Sequence, residues 1–219
     1  MALIPAVERP EIDHRTLKLL VGLIALTLAP LTSSLASVPI DSISASYYEA
    51  GWSRSIFIGF LFAIASFLAA YNGESRLEMG MSKVAAVAAL GVALFPCGCG
   101  RPDIGLQVLH FGSAAVMFGV LALFCRVFYR RAHDKGWTEA NRRAWIYAAC
   151  GTTIVACMAV LALDAGLGGP LSAALPRLVF WGEAIALTAF GISWLTASRT
   201  VPMLALSLIH ISEPTRLRR

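Results

Sequence analysis

Two ionisable residues interrupt long apolar runs and are the first candidates for chemistry. His110 lies in the run 104–125, and Glu183 lies in the run 178–195. At roughly 1.5 Å per residue, each lies about 8–9 Å along a helix from the start of its run. A charged side chain at the centre of a bilayer costs about 2.5–3.5 kcal/mol on insertion scales, so such residues indicate function by default.

A polar and aromatic segment, residues 39–59, separates the first two apolar runs and supplies further candidates. If the apolar runs alternate across a membrane, this segment lies on the side towards which His110 and Glu183 are displaced. The sequence therefore predicts an outward-facing polar pocket with this segment as its cover. The ligand-binding residues that we predict are Asp41, Ser42, Ser44, Tyr47, Tyr48, Arg54, His110 and Glu183.

Other interpretations of these residues stay open. Glu183 can pair with Arg54 or His110 and only fix how helices dock, and His110 can form a helix-to-helix hydrogen bond. Ser44 or Ser42 with His110 as base would make an intramembrane lipid hydrolase, since a nucleophile needs an adjacent base. The sequence contains neither a GxSxG nor an HExxH motif. Glu183 could also carry protons in a transporter or channel.

The cysteines and lysines indicate no cofactor. Cys97, Cys99 and His110 could suggest zinc, but a structural zinc site needs four ligands at defined spacings. The five cysteines are scattered and form no disulfide framework. A retinal protein needs a lysine within a span, and no lysine lies in the middle of an apolar run. We therefore predict neither a metal nor another cofactor.

The composition is that of a membrane protein. Apolar residues make up 58% of the chain and charged residues only 14%, against about a quarter charged in soluble domains. Six apolar runs approach the roughly 20 residues that cross a bilayer. We predict spans at residues 17–36, 54–71, 82–95 (extending towards Leu77), 104–125, 144–163 and 178–195. The predicted fold is all-α, a six-helix bundle over residues 17–205, after an N-terminal segment 1–16 that does not resemble a signal peptide.

Positive charge predicts the orientation. Twelve of the 18 lysines and arginines lie in or near segments on the side of the N-terminus, and three lie on the opposite side. This bias places both termini in the cytoplasm, which we take to be that of a bacterium, with the spans in the inner membrane. Trp52 and Trp181 are predicted at the outer interface, and Trp145 and Trp194 at the inner one. The basic stretch 126–143 is expected to contact anionic headgroups rather than nucleic acid.

Residues 206–219, LSLIHISEPTRLRR, differ in character from the rest of the chain. They resemble the translation of a sequencing adapter. We therefore expect this tail to be non-native, and it enters no functional argument.

Four stretches, DSISASYY…R..FIGFLFAIASFLAAYNG, ALGVALFP, LHFGSAAVMF and VFWGEAIALTAFGISWL, carry a resemblance. In this order they resemble a bacterial family of six-span membrane proteins with a domain of unknown function, which is distantly similar to the DRAM-type membrane proteins. The resemblance covers most of residues 41–195. It includes all eight candidate residues together with Gly59 and Pro96, whereas Cys97 and Cys99 do not belong to the pattern. It implies a six-helix bundle and no particular activity.

The sequence thus favours a non-enzymatic integral membrane protein. Its partners would be membrane lipids and a small amphiphile, which the outward-facing pocket binds, with transport of that ligand as an extension.

Overall fold

The computed structural model describes residues 13–98 and 104–200, and these ranges contain helices and no strand. Helices make up 81% of the structure. Six of them are long and apolar enough to cross a membrane. The predicted all-α class and the six spans are confirmed, and the protein is a multi-pass integral membrane protein. The elements are α1 (His14–Ser34), a 3₁₀ helix (Ser44–Tyr48), α2 (Trp52–Ala70), α3 (Arg76–Leu94), α4 (Ile104–His133), α5 (Thr138–Gly166), α6 (Pro170–Ala174) and α7 (Leu178–Ser198).

The long helices form a closed ring. Each of α1 to α4 packs against the next helix in the chain, α5 packs against α7, and α7 closes the ring against α1. Short connections make these neighbours antiparallel. We call the end where α1 begins and α7 finishes the terminal end. The opposite end, which carries the connection 35–51 with its 3₁₀ helix, we call the loop end.

Outward faces of the spans are apolar. Val87 is 70% exposed, Ile104 74% and Leu163 65%. Exposed apolar side chains occur on all six spans, which would be unfavourable in water and suits contact with lipid.

Glycines allow α1 and α7 to pack closely. A Cβ at Gly191 would lie 2.9 Å from the Gly22 carbonyl oxygen, and a Cβ at Gly22 would lie 3.1 Å from the Gly191 carbonyl oxygen. Any larger residue at these positions would have to push the backbones apart. Close backbone approach through small residues is a common means of helix association in bilayers, where van der Waals packing replaces the hydrophobic effect. This contact closes the ring.

Trp194 lies at the centre of an aromatic cluster. It is fully buried, and its ring centroid lies 5.4 Å from that of Tyr71, 5.5 Å from that of Phe124 and 5.3 Å from that of Phe190. Trp194 therefore faces the interior of the bundle and is not part of an outward-facing aromatic belt, and in this respect the prediction is wrong. The other three predicted tryptophans face outward from the bundle, since Trp52, Trp145 and Trp181 are 73%, 74% and 55% exposed.

The helices extend beyond the predicted apolar runs. α4 continues to His133 and α5 begins at Thr138, so only residues 134–137 connect them. The stretch 126–143, which we interpreted as a basic connection, is mostly helical because it contains no helix breaker before Gly136. Similarly, α3 begins at Arg76, so the helix includes the expected extension to Leu77.

Candidate functional site at the loop end

Three of the predicted residues line one cavity between the helices. Ser44 comes from the 3₁₀ helix, His110 from α4 and Glu183 from α7. The cavity volume is about 30 Å³, and its remaining walls are apolar side chains such as Leu28 and Phe118. This space accommodates one or two water molecules or a group of similar size. The structure thus brings together a hydroxyl, an imidazole and a carboxyl group inside an apolar surround.

Glu183 fastens the loop-end connection to α7. Its Oε2 accepts a hydrogen bond from the Ile43 backbone N–H at 2.6 Å. Two further bonds support the same attachment: the Phe180 N–H donates to the Asp41 carbonyl oxygen at 2.9 Å, and Arg177 Nε donates to the Ile40 carbonyl oxygen at 2.9 Å. Connection 35–51 is therefore positioned by the first two turns of α7.

The predicted pairing of Glu183 with Arg54 or His110 is wrong. Within residues 13–98 and 104–200 the salt bridges are those of Arg131, at the terminal end. The carboxylate instead uses a backbone N–H, which a sequence motif cannot reveal because every residue except proline has one.

His110 joins α4 to the end of α3. It is 2% exposed, and its Nδ1 lies 2.7 Å from the carbonyl oxygen of Phe95, the C-cap of α3. A carbonyl oxygen can only accept, so Nδ1 carries the proton, and in the neutral ring Nε2 has a free lone pair. The expected helix-to-helix hydrogen bond of His110 is confirmed.

Ser42 and Ser44 lie side by side at the start of the 3₁₀ helix. Their hydroxyl oxygens are 3.2 Å apart, and Ser42 Oγ accepts the Ala45 N–H at 3.0 Å. Both residues are buried. Ser42 thus caps the short helix that presents Ser44 to the cavity.

The other predicted residues lie away from the cavity lining. Asp41, Tyr48 and Arg54 are exposed, and the Arg54 guanidinium lies 4.8 Å from the centroid of the Tyr47 ring. Asp41 contributes its backbone carbonyl to the attachment of the connection. These groups border the loop end without lining the cavity.

Cys97 is disulfide-bonded and buried, which the sequence analysis did not anticipate. In this state its sulfur is no thiolate and cannot bind a metal ion. Cys99, the other cysteine of the considered zinc set, lies outside the described residues, as does the tail 206–219.

Sequence reasoning missed a polar cluster at the terminal end. Glu78 is 1% exposed and forms an ion pair with Arg131, which also pairs with Glu74 at 2.7 Å. The Tyr71 hydroxyl donates to Glu78 Oε2 at 3.3 Å. Burial and the Glu78 carboxylate both raise the pKa of Tyr71, which keeps its hydroxyl protonated as a donor. The spacing Ser75-x-x-Glu78 is a capping-box signature and could have located the cluster.

Asp164, at the end of α5, is buried although it lies next to a connection. It is 4% exposed, and its carboxylate accepts the backbone N–H groups of Leu171 at 2.7 Å and Ser172 at 3.2 Å. It therefore holds α6 against the end of α5.

Comparisons of the chain with protein-family models, with curated proteins and with solved structures found no match.

Proposed function

We propose that this membrane protein binds a lipid or other small amphiphile at the loop end, with Ser44, His110 and Glu183 contacting the polar group of the ligand. One observation supports this most directly: polar side chains from three separate elements meet in one apolar-walled cavity. An amphiphile presents the matching combination of a polar group and an apolar body. The same site could also serve transport, if the bound ligand moves between the leaflets of the membrane.

The size of the cavity limits what enters it. A volume of about 30 Å³ accepts a hydroxyl-sized group, whereas drug-sized ligands occupy about 300–1,000 Å³. The apolar body of the ligand would therefore lie between or outside the helices, and a bulkier polar group would require side chains to move. The connection 35–51 is the element whose displacement would widen the cavity, because its Ile43 and Ser44 form one wall.

A hydrolase is the second candidate, because Ser44 and His110 line the same cavity. His110 has the tautomer that a general base needs, with Nε2 unprotonated in the neutral ring. The rest of the arrangement does not favour catalysis. The Ser44 hydroxyl has Ser42 as its hydrogen-bonding neighbour, and Glu183 binds the Ile43 backbone rather than orienting His110. We therefore prefer binding to hydrolysis.

A proton-conducting role for Glu183 receives less support. Such a role needs a water path from Glu183 to both ends of the bundle. Phe124, Phe190 and Trp194 are fully buried between this cavity and the terminal end, and both phenylalanine rings pack against Trp194. This aromatic layer would have to open for water to pass.

We also propose that the terminal end faces the cytoplasm of a bacterium, with the spans in its inner membrane, and that the chain belongs to the six-span family that it resembles. The excess of basic residues at the terminal end supports the orientation. The substitution Gly136→Cys, in the exposed α4–α5 connection, tests the orientation in a background where the native cysteines are replaced. A membrane-impermeant maleimide should label this cysteine in inverted vesicles and not in intact cells.

Lipid analysis of purified variants tests the proposed binding. The polar-group variants are Glu183→Gln and His110→Ala, and Ser66→Ala is a control whose hydroxyl bonds only within its own helix on an exposed face. Loss of a hydrogen bond to a charged or buried polar group is worth about 1.5–3 kcal/mol, roughly ten- to a hundredfold in affinity. We expect mass spectrometry to show a bound lipid class depleted at least tenfold in the first two variants only.

Two results would decide against this proposal. If Glu183→Gln and His110→Ala keep the wild-type lipid content while remaining folded, the cavity binds nothing. If the wild type instead degrades the lipid and Ser44→Ala abolishes the degradation, the hydrolase interpretation replaces it.

A further inference from the structure

A basic pocket lies at the terminal end, at the opposite side of the bundle from the Ser44–His110–Glu183 cavity. Its volume is about 240 Å³, and α1, α4, α5, α7 and adjoining turns contribute to its walls. Glu74 is the carboxylate among its lining residues, and His14 also lines it. The lysines and arginines on its walls are Arg15, Lys18, Arg131, Lys135, Arg143 and Arg199.

The positive charge of this pocket is only partly neutralised by the described residues. Arg131 pairs with Glu74 and Glu78, and the other five cationic side chains on the walls form no salt bridge within residues 13–98 and 104–200. Arg131 and Arg199 lie at the C-terminal ends of α4 and α7, where the helix dipole favours positive charge. This effect is worth about 0.3–1 kcal/mol per group and does not neutralise the pocket.

Lys18 is the buried cation among these residues, and its ammonium group needs hydrogen-bond acceptors. It is 8% exposed, and its Nζ lies 5.4 Å from the centroid of the Tyr71 ring and 5.2 Å from that of Phe128. Its Nζ makes no hydrogen bond or salt bridge to any residue in the described ranges. An ammonium group has three N–H donors, and burying it without acceptors is unfavourable. The rings of Tyr71 and Phe128 stabilise the positive charge of Lys18 through cation–π interactions, but they offer no oxygen or nitrogen acceptor to its N–H groups.

An anionic ligand would supply the missing acceptors, and phosphate fits best. Phosphate oxygens accept several charge-assisted hydrogen bonds at once, and arginine guanidinium groups match them geometrically. A volume of about 240 Å³ is below the usual range for drug-sized ligands and suits a phosphate with a small ester group. Phe128 and Tyr147 provide the less polar part of the wall.

We propose that the terminal-end pocket is a binding site for a phosphate-bearing anion, with Lys18 at its base and Arg143 and Arg199 towards its mouth. The phosphate can belong to the headgroup of an anionic phospholipid or to a soluble phosphate ester. Both sources present the same chemistry to the pocket. The site is separate from the loop-end cavity, and the proposal does not depend on the function proposed for that cavity.

Two measurements on the full-length protein distinguish the sources. In the first, nanodiscs of phosphatidylcholine with or without phosphatidylglycerol are used, and retained lipids are counted by native mass spectrometry. In the second, glycerol phosphate is titrated calorimetrically into protein in a neutral, phosphate-free detergent. The pocket variants are Lys18→Gln and Arg143→Gln. Arg142→Gln is the matched control, because it removes the same charge from the residue of α5 that precedes Arg143, and Arg142 is exposed and outside the pocket lining.

We expect each pocket variant to weaken binding by about tenfold, the effect of losing one charge-assisted hydrogen bond, and Arg142→Gln to change it less than twofold. This pattern with phosphatidylglycerol identifies a lipid source, and the same pattern with glycerol phosphate identifies a soluble one. Should Lys18→Gln fail to fold, Arg143→Gln and the exposed Arg199→Gln carry the comparison. The proposal is overturned if neither probe binds saturably, or if Arg142→Gln weakens binding as much as Arg143→Gln.

Discussion

Replacing Arg131 by methionine should strongly destabilise the protein. Glu78 is 1% exposed, and its ion-pair partner Arg131 has a side chain that is 25% exposed, so the carboxylate is the buried member of the pair. Removing one partner of such a pair typically costs about 3–5 kcal/mol, because an uncompensated charge stays buried. Tyr71 and Ser75 still donate to the Glu78 carboxylate, both at 3.3 Å, which is long for hydroxyl donors. We therefore expect a loss of about 3 kcal/mol in the free energy of unfolding, near the lower end of that range.

Reversible unfolding in mixed micelles, followed by circular dichroism, measures this loss. Arg130→Met is the matched control, because Arg130 is the preceding residue of α4, is exposed and forms no salt bridge with any described residue. Its replacement should change the free energy of unfolding by less than about 0.5 kcal/mol. The double variant Arg131→Met/Glu78→Gln should recover part of the lost stability, since a neutral amide at position 78 removes the buried charge, while its single carbonyl oxygen keeps only some of the hydrogen bonds that the two carboxylate oxygens accept.

Equal destabilisation by Arg131→Met and Arg130→Met would show that the Glu78 ion pair does not contribute this stability. If the double variant is no more stable than Arg131→Met alone, the cost would come from lost packing of the arginine stem rather than from the charge on Glu78.

Three further changes test other parts of the structure. Gly191→Ala should cost about 1–3 kcal/mol of unfolding free energy in the same assay, since its Cβ would meet a carbonyl oxygen of α1 at 2.9 Å, whereas Gly59→Ala has open space and should be nearly neutral. Hydrogen bonds from Ser37 lower the pKa of Glu49 and so favour its ionised form. The stability that these bonds contribute is therefore fully present above the usual carboxyl pKa, and it is lost as the pH falls through the lowered pKa of Glu49. Exchange of the Ser37 amide hydrogen, corrected for its intrinsic pH dependence, should therefore lose protection on acidification in the wild type, but not change in this way in Glu49→Gln. Asp164→Ala should expose the first N–H groups of α6 to exchange and cost about 1 kcal/mol, as loss of a helix cap does, and unchanged exchange there would contradict the capping role.

The spans could be predicted from the sequence because lipid contact requires long apolar runs. The starts of α4 at Ile104 and α7 at Leu178 agree with the prediction. The end of α4 does not agree with the prediction, because hydropathy shows where a helix leaves the apolar region and not where its backbone hydrogen bonding stops. Arg126 to His133 are polar overall and still helical.

The candidate site was predictable only in part. Ionisable residues within apolar runs singled out His110 and Glu183, and the structure places both on the lining of one cavity. Their partners were not predictable, because both residues bind backbone groups: the Phe95 carbonyl oxygen and the Ile43 N–H. Trp194 was misplaced for a related reason, since a tryptophan near the end of a span can face either lipid or the interior, and hydropathy does not distinguish the two.

The two ends of the bundle compensate their polar groups in different ways, so substitutions at the two ends should have different effects on stability. At the loop end Glu183 is held by a neutral backbone N–H, so an amide at that position retains the contact, and Glu183→Gln should leave the fold intact while altering the charge offered to a ligand. At the terminal end Glu78 is held by a cation, so changing either partner alters the electrostatic balance of the fold itself. Stability measurements should therefore respond mainly to the terminal end, and the effect of Glu183→Gln on bound lipid can be interpreted as an effect on the site rather than on folding.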